Sequence, residues 1–318
     1  MRAITIMLSG LLLLGLIGTA EARNDRKIEQ CGKHTEVVDQ DDGMVSLKEK
    51  KKKGCVIAVK ALHPTQSAVG MDAAACKADK ITAKARAGKL KSYLQAEKRW
   101  LPLVRGPGGV FYLTDHHHLS AAIWNADLKE KEKKVFAYLI ADWSELHEDA
   151  FWALMVKHNN TWLKNPADQD IKPSQLPASI GAMQDDPMRT LSAWVRGSCG
   201  YVKCDAPGSE QDDEETTCQQ QFAKAASCAA NVFFLEFKWG HYLGSVPAVQ
   251  TELQGIAACS QQDPLDRQCL DKQYAQMVKA LPAAMQAAAA PAALQALGDG
   301  AGYHPQAQTG VPQPKRCD

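Results

Sequence analysis

Between Leu101 and Ala126 the hydrophobic period changes within a few residues, and this change constrains the local architecture more than any other feature. Leu101-Pro102-Leu103-Val104-Arg105 and Val110-Phe111-Tyr112-Leu113-Thr114 flank Gly106-Pro107-Gly108-Gly109. Two short β-rich runs around glycines, which supply positive φ at no steric cost, predict a hairpin. After Thr114, Leu119, Ala122, Ile123 and Ala126 recur at helical spacing. The second strand therefore hands over to a helix that starts near Asp115 or His116. The junction reads Thr114-Asp115-His116-His117-His118, the most chemically concentrated segment of the chain.

The first amides of a helix have no intrahelical partner and carry partial positive charge, so such a junction favours an anion. Asp115 is expected as the N-cap. Successive helical side chains point about 100° apart, so three adjacent histidines cannot all ligate one metal. One or two face a cleft, and another packs or bonds a backbone carbonyl. Imidazoles beside a helix N-terminus stay neutral, which suits a general base or a metal ligand. The catalytic candidates are Asp115, His116, His117 and His118, joined by His63 on an opposite wall. His117 and His116 are the candidate ligands if a divalent metal ion takes part. Thr65, Gln66, Lys77, Arg105 and Thr114 are the candidate phosphate contacts. A solvated helix cap is the bland alternative for the histidines, and an ordinary surface role for the others.

Elsewhere Val56-Ile57-Ala58-Val59 predicts a buried strand, broken at Leu62-His63-Pro64. Met71 to Glu97 predicts one or two helices jointed at Gly88. Lys134 to Ile140 predicts a strand, and Ser144 caps a helix from about Glu145 to Lys157. Pro187 to Val195 and the aromatic stretch Asn231 to Leu243 predict further helices, and Pro282 to Leu297 one more. His304 to Asp318 is expected to be disordered unless Cys317 is tethered.

Export is the expectation from the N-terminus, with an uncleaved membrane anchor as the alternative. Met1-Arg2 precede an apolar run of roughly 14 residues ending near Ile17, too short for a membrane span. Ala20 and Ala22 then match a signal-peptidase site, giving a signal peptide over 1–22 and no stable span after cleavage. All ten cysteines follow that point, and an even number in an exported chain predicts disulfides, with about 945 connectivities open. No CxxC pair argues for zinc instead. The net charge of +1 gives no global attraction to nucleic acid, so a polyanion must be held by a local patch. The expected organisation is a polar and basic linker over 23–54, a domain over 55–245, and a helical then disordered Ala/Pro/Gln-rich extension over 246–318.

Leu62-His63-Pro64-Thr65-Gln66 with Val69-Gly70 and Lys77, the Gly106–Gly109 turn, and Tyr112 through Leu119 together resemble the ParB-like nuclease family, a branch of the ParB/sulfiredoxin superfamily. Leu176-Pro177, Asp185 to Arg189 and Phe234 to Trp239 resemble that family's later blocks. The resemblance covers roughly residues 55–245. It implies a mixed α+β fold, a small sheet with surrounding helices, whose helix-opening turn cradles phosphate, and a nuclease or phosphodiesterase activity on nucleic acid or another phosphate-containing ligand. A non-catalytic exported module that holds a ligand or metal on the same turn is the alternative. Sulfiredoxins carry Gly-Cys-His-Arg where this chain has Asp115, His116, His117 and His118, so sulfinic-acid repair is not implied. The arginine-rich turn and helix-turn-helix of partition proteins are missing too.

Overall fold

The computed structural model describes residues 28–38, 53–203, 227–228, 232–259, 265–298 and 300–305. The expected signal peptide, Lys48 to Lys52, most of the Cys199–Cys228 stretch and residues 306–318 lie outside the described residues. The fold is α+β. Its centre is a mixed five-stranded sheet in the order β1-β6-β4-β5-β2, with β1 Cys55–Ala58, β2 Leu62–Pro64, β4 Leu101–Arg105, β5 Phe111–Leu113 and β6 Lys134–Asp142; β3, Ala68–Val69, pairs outside it with Gln184–Asp185. Val135 to Ala141 are all buried, as expected for a central strand covered on both faces. The β4–β5 hairpin turns where expected, with Gly108 at φ 68° and Gly109 at φ 76°.

Leu62–Pro64 does not merely end the first strand. A one-turn 3-10 helix, Val59–Ala61, makes the break, and Leu62–Pro64 pairs parallel to β5 at the opposite edge of the sheet. An edge strand tolerates Pro64 because the missing N–H removes no central ladder bond.

Helix α1 (Met71–Arg86) ends before Gly88, where φ is 68°, and α2 (Leu90–Gln95) follows. Helices α1 and α3 (His117–Asn125) cover one face of the sheet, burying Leu101, Leu103, Leu113 and Leu139. Helix α4 (Glu148–Lys157) covers the other through Phe151 and Met155 against Val104, Tyr138 and Ile140. It starts later than expected, after His147, because Ser144 donates its amide and hydroxyl to Asp142 Oδ1 (3.2 and 2.7 Å) instead of capping the helix.

Two expected boundaries shift. Residues 28–38, expected in a linker, belong to the fold: Cys31 is buried and bonded to Cys55, and Val38 N–H donates to the Leu139 carbonyl. The C-terminal part is likewise no appendage. Helices α5 (Pro187–Gly197), α6 (Leu235–Ser245), α7 (Pro247–Glu252), α8 (Arg267–Ala289) and α9 (Pro291–Leu297) build a second core. There Tyr201 stacks on Trp239 with ring centroids 4.3 Å apart, beside Leu191, Met277, Met285 and Tyr303. The helix expected over Pro282–Leu297 is two: α8 runs through Pro282 to Ala289, and Pro291 opens α9. His304, expected in a disordered end, is fully buried. Cys259–Cys269 is the second defined disulfide, and Cys76 and Cys199 are also disulfide-bonded. Among the described residues no helix is long and apolar enough to cross a membrane.

Gly302 shows how closely the last segment is integrated. Its φ is 74°, and a Cβ there would lie 1.7 Å from the Val202 carbonyl oxygen. Gly302→Ala is expected to cost on the order of 3 kcal/mol, since positive φ and overpacking both penalise a side chain. A thermal melt reads this directly; an unchanged melting temperature would detach the segment from the core.

Candidate functional site

β2 and β5 run parallel, so the loops leaving their C-terminal ends emerge side by side. One loop is Thr65 to Gly70; the other is Thr114 to His116, which opens α3. Thr65 N–H donates to His117 Nε2 at 3.2 Å, and Gly70 N–H donates to His118 Nε2 at 3.1 Å. Both rings therefore use the Nε2 lone pair to staple the first loop onto α3. Burial lowers the His117 pKa to about 4, with a smaller downward push from His116 and opposing pulls from Asp115 and the Leu113 carbonyl. His118 lies well below the usual range, first through burial and then through Arg189 and Lys77. For His117 and His118 the first cause favouring the neutral ring is burial rather than the helix end.

Asp115 and His116 occupy the mouth. Asp115 is exposed, and His116, half-buried, has a left-handed backbone (φ 62°, ψ 28°) at the N-cap. Asp115 does not cap the helix as expected. Its Oδ1 accepts the N–H of His116 at 2.6 Å, the nearest donor a left-handed turn offers, and α3 has no side-chain cap. Across the parallel pairing His63 faces Tyr112, ring centroids 5.7 Å apart, and burial lowers the His63 pKa. Tyr112 is raised by burial and then by Glu148; Tyr138 is raised by burial and then by Asp115.

Residues 55–212 match the family described as putative ParB-like nuclease. Those residues belong to the ParB-like nuclease family. The Phe234 to Trp239 block lies beyond the matched stretch. The crystal structure of protein Atu1540 from Agrobacterium tumefaciens is similar at 23% identity, over 78% of this chain and 97% of that one, with a TM-score of 0.49. No curated protein matches the chain in sequence.

Within the ParB-like domain several expected contacts are already committed elsewhere. The Thr65 hydroxyl donates to the Leu113 carbonyl (2.7 Å), and Gln66 Nε2 donates to the Ala68 carbonyl (2.7 Å). Thr114 Oγ1 donates to Pro102 O at 3.3 Å. Arg105 pairs with Asp142 at 2.7 Å and donates to the Cys31 and His34 carbonyls, so it anchors the N-terminal segment rather than a phosphate. Buried loops must satisfy their backbone, and these polar side chains do so. Lys77 alone of the phosphate candidates stays part-exposed with neither a side-chain hydrogen bond nor an ion pair among the described residues, within electrostatic reach of His118. A metal site does not follow from the turn. His117 Nε2 is engaged, and among the described residues no group of three or more His, Cys, Asp or Glu is placed to hold an ion.

Sequence reasoning missed the wall behind His118. Glu236 on α6 lies between Arg189 and Arg196 on α5. Burial alone would raise its carboxyl, and Arg189, Arg196 and Lys203 overcome this and hold it well below the usual carboxylate range. The signal was only half legible: Asp186-Pro187 announces the start of α5, where Asp186 accepts Arg189 N–H at 2.9 Å, but not the partner helix. Two cavities, of about 530 and 650 Å³, open around Pro166, Ala167 and Ala258, and no residue of Asp115–His118 lines either.

Proposed function

We propose that this chain is an exported phosphodiesterase of the nuclease type, acting on nucleic acid at the turn that opens α3. The observation that carries the reading is the amino end of α3. It lacks a side-chain cap, lies beside the ends of two parallel strands, and is flanked by Asp115 and His116 in a ParB-like nuclease domain. Free helix amides there hold a phosphate, and a left-handed non-glycine residue is the kind of strain that functional turns retain. With Asp115 exposed and His116 half-buried at the surface, the turn is open to a polymer laid across it.

In this reading His116 takes a proton from water as the water oxygen attacks phosphorus, the P–O ester bond breaks, and the departing alkoxide takes up the proton that the His116 imidazolium gives back through solvent. Asp115 orients His116, and His63 lines the other wall. His117 and His118 act as positioning residues, since both acceptor nitrogens are spent on holding the loops together. Export is supported by the defined disulfides and the absence of free cysteines among the described residues.

The commitment of His117 and His118 to packing also favours the second reading, a binding module without turnover. Oxidised full-length protein, assayed on DNA, RNA and bis-p-nitrophenyl phosphate with and without divalent ions, separates them. Hydrolysis is expected, with Asp115→Asn and His116→Gln each lowering it on the order of 100-fold, the usual worth of acid–base catalysis. Turnover unchanged in both variants, or ligand binding without product in the wild type, would sink the first reading.

A further inference from the structure

We infer that one flank of α1, bearing Lys77, Lys80 and Lys84, is a docking track for the phosphate backbone of nucleic acid leading away from the α3 turn. The inference rests on the nuclease reading of that turn and adds where its polymer lies. Between Lys77 and Arg99 the sequence has eight basic residues against two acidic ones, while the whole chain carries only +1. That stretch alone, on α1, α2 and the segment that follows, carries a net +6.

At about 100° per residue, Lys77, Lys80 and Lys84 fall within about 60° of one another on α1. Asp79 and Arg86 fall on the opposite flank, where each is neutralised, Asp79 by Arg267 at 2.7 Å and Arg86 by Asp127 at 2.9 Å. The lysine flank has no acidic partner among the described residues. Lys84 Nζ is 4.6 Å from the centroid of Tyr93, and the Arg99 guanidinium 3.8 Å from the same ring, which extends the positive surface onto α2. The helix dipole accounts for cations in the last turn, Lys84 and Arg86, but not for Lys77 and Lys80 in the middle.

The track meets the site. Gly70, the N-cap of α1, donates to His118, and Lys77 is the lysine whose charge reaches that ring. From Lys77 to Lys84 the helix rises about 10 Å, roughly three nucleotide steps. A row of ammonium groups without carboxylate partners reads charge and not sequence, so binding is expected to be sequence-independent and steeply salt-dependent.

The test compares Lys77→Gln/Lys80→Gln/Lys84→Gln with a control of equal charge change on another surface, Lys129→Gln/Lys131→Gln/Lys134→Gln, in the full oxidised chain. Binding of a fluorescent DNA duplex is titrated across salt concentrations. The α1 variant is expected to lose on the order of 10- to 100-fold in affinity near ~0.1 M salt and to flatten the log–log salt slope by about 2–3. The control should keep both. Equal weakening of the two variants, no weakening of either, or no duplex binding by the wild type overturns the track. So does tighter, α1-dependent capture of a sulfated polysaccharide. Wild-type hydrolysis of bis-p-nitrophenyl phosphate is read in parallel. Absent hydrolysis with α1-dependent duplex binding removes the nuclease reading and leaves the track standing; hydrolysis with α1-independent binding does the reverse.

Discussion

His117→Gln is expected to gain about 3 kcal/mol of stability relative to the wild type as pH falls from 7 to 4. The His117 ring is buried, neutral and accepts Thr65 N–H, with a folded-state pKa of about 4 against an ordinary value of 6.5. Between those values the unfolded chain binds the proton and the folded chain does not. Stability contributed by neutral His117 is therefore full above pH 6.5 and is lost progressively down to about pH 4. Glutamine keeps an acceptor for the Thr65 amide and has nothing to protonate. At pH 7 it is expected to be less stable than the wild type by about 1–2 kcal/mol, having lost the packing of the ring. Asp186, raised by burial to about 6, changes in the opposite sense, but both proteins carry it and it cancels in the comparison. Urea midpoints of the two proteins at pH 7 and pH 4 make the measurement. A difference independent of pH would show that His117 is not held neutral by burial.

Asp185→Ala should cost about 3–5 kcal/mol and separate the two cores before the sheet itself melts. One buried carboxylate accepts from three places: Met71 N–H at the start of α1 (2.9 Å), Cys259 N–H (2.8 Å) and Gln273 Nε2 on α8 (2.7 Å). Burial raises its pKa, and these three donors oppose the rise. Removing it strands the Met71 and Cys259 amides and leaves Gln273 Nε2 with the Ala257 carbonyl alone (2.9 Å), so the desolvation penalty of the two backbone donors then appears. Hydrogen exchange should report the site of damage: amides of Met71 and Cys259 lose protection while those of β6 keep theirs. Uniform loss across the chain, or no loss, would remove Asp185 from the joint between the cores.

Much of the sheet domain is legible in the residues themselves. The β4–β5 hairpin, the hand-over at Thr114, the α1–α2 joint at Gly88 and the start of α5 each depend on local signals. Those signals are glycine at positive φ, a change of period, and proline at the first helical position. The misread places share a different cause. Ser144 and Asp115 are sound capping residues, but each found a nearer partner, Asp142 in one case and the His116 amide in the other. Pro64 looked like a strand end because only the sheet order shows that it lies on an edge. Residues 28–38 looked like linker because the pairing of Cys31 with Cys55 is a long-range fact. The Ala-rich C-terminal segment looked like a tail because alanine gives little hydrophobic contrast until Trp239 and Tyr201 are set against it.

The same division holds for the turn. Its residues alone determined that a strand hands over to a helix there and that three adjacent histidines cannot share one task. Only the tertiary structure decided the distribution of those tasks. His117 and His118 point into a loop whose amides need acceptors, whereas Asp115 and His116 are left at the mouth. Helical periodicity fixes the angle between neighbouring side chains, but what each side chain meets depends on chain segments about fifty residues away.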